Sequence, residues 1–175
     1  MQHTGLVEVL NPSERFLQER SFYPGTTVTA VLEGSRVFLI EVQALVSKTN
    51  FGFPQRKASG FDLNRLQLLL AVLDRRAHIG FETSDVYINV VGGGRIAEPS
   101  MDLAVCLALV SALHDVPLAK NAVVWGEVGL GGEVRSVGRQ SDREKEAKRF
   151  GLTTSISPDS TKSLVEAIHT AGLDK

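Results

Sequence analysis

Apolar positions along the chain recur at two spacings, and these divide it into strands and helices. "GTTVTAVLEG" (25–34) alternates and is rich in β-branched residues, and "RVFLIEVQALV" (36–46) is a second strand. Gly34-Ser35 between them supplies the positive φ of a two-residue hairpin. After Asp62, a capping residue, Leu63, Leu66, Leu69, Leu70, Leu73 and Ala77 fall on one helix face at about 100° per residue. The helix is expected to run through about Ala77, with Gly80 ending it. Leu68 and Val72 form a second apolar stripe on it, the pattern of a helix buried between layers or packed on a neighbouring subunit. "DVYINVV" (85–91) predicts a strand that Gly92-Gly93-Gly94 breaks. The helix Ser100–His114 is apolar round most of its circumference and is therefore expected at the centre.

Beyond it, "AVVWGEV" (122–128) and "LGGEVRSV" (130–137) pair through Gly131-Gly132. "SDREKEAKRFG" reads as a polar, salt-bridged surface helix, in which Glu144 and Lys148 form an i,i+4 pair. "TTSIS" (153–157) is a last strand and "SPDSTKSLVEAIHTAG" a capped terminal helix. A short helix begins at Pro12 or Ser13, and "SKTNFGFPQRKASG" (47–60) has no usable period and is expected as a long loop. This order predicts a single α/β domain, an α+β sandwich with mixed strand directions.

Composition narrows the function classes. The net charge of −1 gives no overall field for nucleic acid or an acidic membrane, so any such site is a local patch. Cys106, the one cysteine, lies in "LAVCLALV" and reads as a core residue. His3, His78, His114 and His169 are scattered and lack zinc spacing, so no metal is expected. No GxxxxGK[ST] cradle occurs, Gly92-Gly93-Gly94 reads as a strand-to-loop turn, and no cofactor is expected in this domain. No apolar run is long enough to span a membrane and no leader is visible, which predicts a cytoplasmic protein with no membrane partner.

"GGGRIAEPSMDLAVCLALVSAL" followed by "VVWGEVGLGGEVRSVG" resembles the proteolytic domain of Lon, a fold of the ribosomal protein S5 domain 2-like type. "GLVEVLNPSERFLQER", "FPQRKASGFDLNRLQLLLAVLDRR" and "VYINVVGGGRIAEPSMDLA" narrow the resemblance to the C-terminal, Lon-like domain of the RadA (Sms) family of bacterial RecA-like DNA-repair ATPases. The resemblance implies a domain over 1–175, with 1–10 as a linker from a zinc-motif and ATPase region. ATP, Mg and Zn would belong to that region. It further implies a homohexamer, with Leu68 and Val72 as subunit contacts, a nucleoid-associated location and the RecA recombinase as a partner.

By the same resemblance Ser100 stands at the Lon nucleophile position, and the Lon lysine position falls on Ser141. A serine hydroxyl needs a base, and neither Ser141 nor Arg139 can act as one near neutral pH. Lys145 lies a further helical turn on, about 6 Å along the axis. Ala97-Glu98 replaces the Asp-Gly that precedes Pro-Ser in Lon. No catalytic residue is therefore expected, and Ser100 is read as structural or as a helix N-cap worth about 1 kcal/mol.

The one strongly basic stretch holds Lys48, Arg56, Lys57, Arg65, Arg75 and Arg76 against only Asp62 and Asp74. Arg65 and Arg76 share a helix face, and Arg56 and Lys57 precede it, so a single stripe for sequence-nonspecific binding of single- or double-stranded DNA is expected, with Phe51 and Phe53 nearby. The resulting expectation is a non-proteolytic scaffold and DNA-binding domain of a protein that processes branched recombination intermediates. Two alternatives stay open: a Ser-Lys peptidase using Ser100 with Lys145, and an oligomerisation module without DNA binding.

Overall fold

The computed structural model describes residues 22–50, 52–91 and 96–174. The helix expected from Pro12 or Ser13 and the glycine run 92–94 lie outside them. A six-stranded mixed sheet is the frame. The hairpin forms as predicted: β1 (Thr26–Glu33) pairs antiparallel with β2 (Arg36–Lys48), and Gly34 turns the chain at φ +59°. The strands lie in the order β3-β4-β2-β1-β5-β8. β4 (Ser84–Val90) is antiparallel to β2, while β3 (Arg56–Ser59), β5 (Ala122–Val124) and β8 (Thr154–Ile156) each run parallel to a neighbour.

Side chains alternate across the sheet, so its two faces carry different cores. Ile40, Val42, Ala44, Val86, Ile88 and Val90 face a layer of three helices: α1 (Leu63–Ala77), α2 (Asp102–His114) and α4 (Leu164–Thr170). In α2 every residue from Asp102 to Ser111 is buried, which is why its apolar positions have no preferred side. On the opposite face Val28, Ala30, Leu39, Val123 and Trp125 pack against Ala147 of α3 (Gln140–Arg149) and Leu152.

Four boundaries differ from the sequence reading. The stretch 47–60 is not all loop, because β2 runs on to Lys48 and residues 56–59 add an edge strand to β4. Residues 122–128 are two strands, not one. Gly126 donates to the Ser100 carbonyl (2.8 Å) and accepts from the Leu103 amide (3.1 Å), which pulls the chain out of the sheet. β6 (Glu127–Val128) then pairs only with β7 (Val134–Arg135). α1 ends at Ala77, as expected, though the residue that ends it is His78, in the left-handed conformation at φ 57°, and not Gly80. The terminal helix starts only at Leu164, where the Ser163 hydroxyl accepts from the Glu166 amide.

The two apolar stripes of α1 also part. Leu66, Leu69, Leu70 and Leu73 are buried, but so is Val72, which corrects its expected place in a subunit contact. Leu68 stays 45% exposed, and Leu63 is exposed as well. Among the described residues no helix is long and apolar enough to cross a membrane.

Candidate functional site

Pro99 opens a 3₁₀ turn (Pro99–Met101) that leads directly into α2, and Ser100 is its middle residue. Its side chain does not cap either helix, which corrects the capping expectation. The hydroxyl is fully buried; it donates to the Ala30 carbonyl (3.4 Å) and accepts from Arg143 Nη1 (3.1 Å). Arg143 is itself fully buried. Its Nε donates to the Gly138 carbonyl (2.9 Å), Nη1 to the Ala30 carbonyl, and Nη2 forms an ion pair with Glu98. Glu98 in turn accepts from the Leu32 amide (2.6 Å). A guanidinium in this place donates and cannot take a proton, so the group facing Ser100 Oγ is the opposite of a general base.

Sequence reasoning missed Arg143 by assigning α3 wholly to the surface. Its signal was the spacing Arg143–Ala147–Phe150, the helix's inward stripe. Ser141 and Lys145 point outward. Lys145 is 79% exposed and 4.0 Å from Asp142, so Lys145 does not meet the buried Ser100. This removes the geometry that a Ser100–Lys145 dyad requires.

A cleft of about 310 Å³ lies beside Pro99, lined by Phe61, Arg65, Ile96, Glu98, Asp102 and Glu127 among others, and Ser100 does not reach it. At its base Arg65 grips Asp102 with two N–H groups, Nε to Oδ1 at 3.0 Å and Nη2 to Oδ2. Nη2 also donates to the Val128 carbonyl (2.9 Å), and the Val128 amide donates to Asp102 (3.2 Å). Burial pushes the Asp102 carboxyl above the usual aspartate value, while the Arg65 and Val128 hydrogen bonds pull it down. Hydrogen bonding to Asp102 holds Arg65 more firmly protonated. The pair joins α1, α2 and β6, which is a structural task.

The predicted basic stripe is therefore dispersed. Arg56 and Lys57 are neighbours on a strand and point to opposite faces of the sheet. Arg56 is consumed by three carbonyls, those of Gln55 (2.9 Å), Ser84 (2.5 Å) and Phe81 (2.7 Å). Lys57 is exposed, with its ammonium 6.0 Å from the centre of the Tyr87 ring. Lys48 ends β2 in solvent. Arg75 and Arg76 are exposed in the last turn of α1, and Arg76 Nε donates to the Leu130 carbonyl (3.2 Å). The stem of Arg76 passes so close to Gly132 that a Cβ there would stand 3.0 Å from it, at a backbone φ of +84°. Of the six cations, Lys48, Lys57 and Arg75 make no ion pair or hydrogen bond among the described residues.

Three of the four histidines, scattered in sequence, are gathered in space, and His3 lies outside the described residues. His78, His114 and His169 meet at a cavity of about 510 Å³ that Asp174 also lines. Among the described residues no His/Cys/Asp/Glu group has metal-holding geometry.

A mixed sheet backed by a buried helix, entered through a Pro-Ser turn, defines the class. The Lon protease (S16) C-terminal proteolytic domain matches residues 72–173, more than half of the chain, and the chain belongs to that family. Within it, the chain is similar to the DNA repair protein RadA of Bacillus subtilis (strain 168), 46% identical over 159 residues, or 90% of this chain and 35% of that protein. It is 48% identical over 159 residues to the DNA repair protein RadA of Chlamydia trachomatis, again 90% of this chain and 35% of that one. With that of Aquifex aeolicus it shares 44% over 168 residues, 96% and 38% of the two chains. The chain thus spans little more than a third of the length of these curated relatives.

Proposed function

We propose that this chain is the Lon-like domain of a RadA-type DNA repair protein, that it has lost peptide hydrolysis, and that it holds DNA. The observation that carries the loss of hydrolysis is the hydrogen bond from the buried Arg143 guanidinium to Ser100 Oγ. The hydroxyl has a donor where a peptidase needs a base, and no route to solvent. The reading on DNA draws on the names of the relatives and on the cations without an ion pair or hydrogen bond among the described residues, Lys48, Lys57 and Arg75, with Arg76 next to Arg75 in the last turn of α1. Such cations neutralise phosphates and read no bases. In the whole protein a RecA-like ATPase would drive the remodelling of recombination intermediates in the cytoplasm, in concert with the RecA recombinase. This domain would serve as the ring-forming scaffold of a hexamer.

The test is a DNA-binding titration of this chain at two salt concentrations, beside incubation with unfolded casein. Intact casein and DNA binding that weakens with salt are expected. Charge reversal at Lys57 together with Arg75 should lower the affinity and flatten the salt dependence, by about one unit of slope for each phosphate no longer neutralised. Casein cleavage abolished by Ser100→Ala would overturn the hydrolytic half of the reading. An oligomer without a salt-sensitive DNA shift would leave a plain assembly module.

A further inference from the structure

The sheet is unevenly covered. On the face opposite the three-helix layer, α3 and the Trp125 cluster cover β1, β5 and part of β2, and among the described residues no helix extends over β3 and β4. Register places Leu45, Tyr87 and Lys57 in one row across that open end, with Gln43 and Asn89 in the next row. Leu45 is 63% exposed, and Phe53, in the loop leading to β3, is 88% exposed. Phe53, Lys57 and Tyr87 rim a cavity of about 390 Å³ together with Asn50, Gln55 and Asp85.

We propose that this open face is a stacking surface for single-stranded nucleic acid, with Phe53 and Tyr87 receiving bases and Lys57 meeting the backbone between them. The inference rests on the DNA-holding reading above and adds the kind of strand and the place. Phe53 is exposed and Tyr87 half-buried, and an accessible aromatic ring is sequence-tolerant toward bases, because every base has a π face, whereas a duplex keeps those faces stacked inside. Asn50 and Gln55 rim the cavity beside the rings and bring amide donors and acceptors to a base edge, while in the next row Asn89 donates to Gln43 (3.1 Å) and Gln43 to Glu41 (2.7 Å).

The loop carrying Phe53 is anchored at both ends. Asp85 accepts from the Gln55 amide (2.8 Å) and the Thr49 hydroxyl (2.9 Å), and the Thr49 amide donates to the Thr83 carbonyl (2.9 Å). Both bonds to Asp85 fall on its Oδ1 and tie that carboxylate to the loop, and Lys57 is the cation among the described residues that rim the cavity. Lys57 already rests over the Tyr87 ring, the cation–π arrangement that a stacked base would replace while the ammonium moves to the backbone. A second copy of the chain is a poorer occupant. Leu45, Phe53 and Tyr87 stand among amides beside Lys57 and Asp85, whereas the core of a stable protein interface is apolar and depleted of charge.

The experiment uses this chain, a labelled oligothymidine of about 20 nucleotides and a duplex of matching length, read by fluorescence anisotropy at two salt concentrations, with mass by light scattering. Phe53→Ala and Tyr87→Ala are expected each to weaken oligothymidine binding about fivefold or more, by the same factor at both salts, while duplex affinity holds within about twofold. Tyr87→Phe keeps the ring and should keep the affinity. Phe53 is so exposed that its replacement leaves the fold intact, which separates a missing stacking partner from a damaged structure. Unchanged oligothymidine binding, an equal loss on duplex, or a change in mass would each overturn the stacking surface. Wild-type protein that binds neither DNA would instead overturn the DNA-holding reading itself, and the stacking surface with it.

Discussion

Ser100 Oγ accepts a hydrogen bond from Arg143 Nη1 at 3.1 Å, across 43 residues of sequence. That bond sets Ser100, which by resemblance stands at the Lon nucleophile position, at one corner of a buried ionic network that Glu98 completes. Arg143→Ala would strand the Glu98 carboxylate and the Ala30 and Gly138 carbonyls, and is expected to cost about 3–5 kcal/mol in urea unfolding. Arg143→Lys keeps the charge but loses the planar fork, so it should also destabilise, by about 1–3 kcal/mol. Ser100→Ala loses only the hydroxyl and should cost about 1–2 kcal/mol. An Arg143→Ala protein as stable as the wild type would refute the network's structural role.

Arg65 and Asp102 present the same physics nearer the surface. With Asp102 buried, Arg65→Ala leaves a carboxylate without its bidentate partner, and a loss of about 3 kcal/mol is expected. Replacing both, Arg65→Met with Asp102→Leu, should recover most of it, because the desolvation cost leaves with the charges. DNA affinity of the folded Arg65→Ala protein should match the wild type. A selective loss of DNA binding at full stability would show instead that Arg65 meets a phosphate.

Cys106 is fully buried at the centre of α2, and burial pushes its thiol far above the ordinary cysteine value. A thiol reagent should therefore label Cys106 only through opening of the core, with a rate that rises in step with urea unfolding. Rapid labelling of the native protein would contradict the central place of α2.

Asp85 carries a pH dependence of known sign. The Gln55 amide first, and then the Thr49 hydroxyl, hold its carboxyl below the usual aspartate value. A lowered carboxylate contributes stability that is complete above its ordinary value and fades as the pH falls through the lower, folded one. The stability difference between wild type and Asp85→Asn should thus be constant near neutrality and shrink below about pH 4. A gap that widens in acid would show the sign to be wrong.

Sequence periodicity located the hairpin, both long helices and the buried centre, because these features are local: alternation, 3.6-residue spacing, a turn glycine and the cap Asp62 act within a few residues. It also identified Pro99-Ser100 as the site's landmark and excluded Ser141 as a base, since that exclusion follows from residue type alone. What a side chain does once folded was decided elsewhere. Arg56 and Lys57 are equal as letters, yet strand alternation spends one on three carbonyls and leaves the other in solvent. Arg65 and Arg143 read as surface cations until Asp102 and Glu98 arrive from distant parts of the chain, 37 and 45 residues away. The tertiary structure alone settled these roles because a charge is free or consumed according to the partners packing brings within about 3 Å, and sequence spacing does not encode that distance.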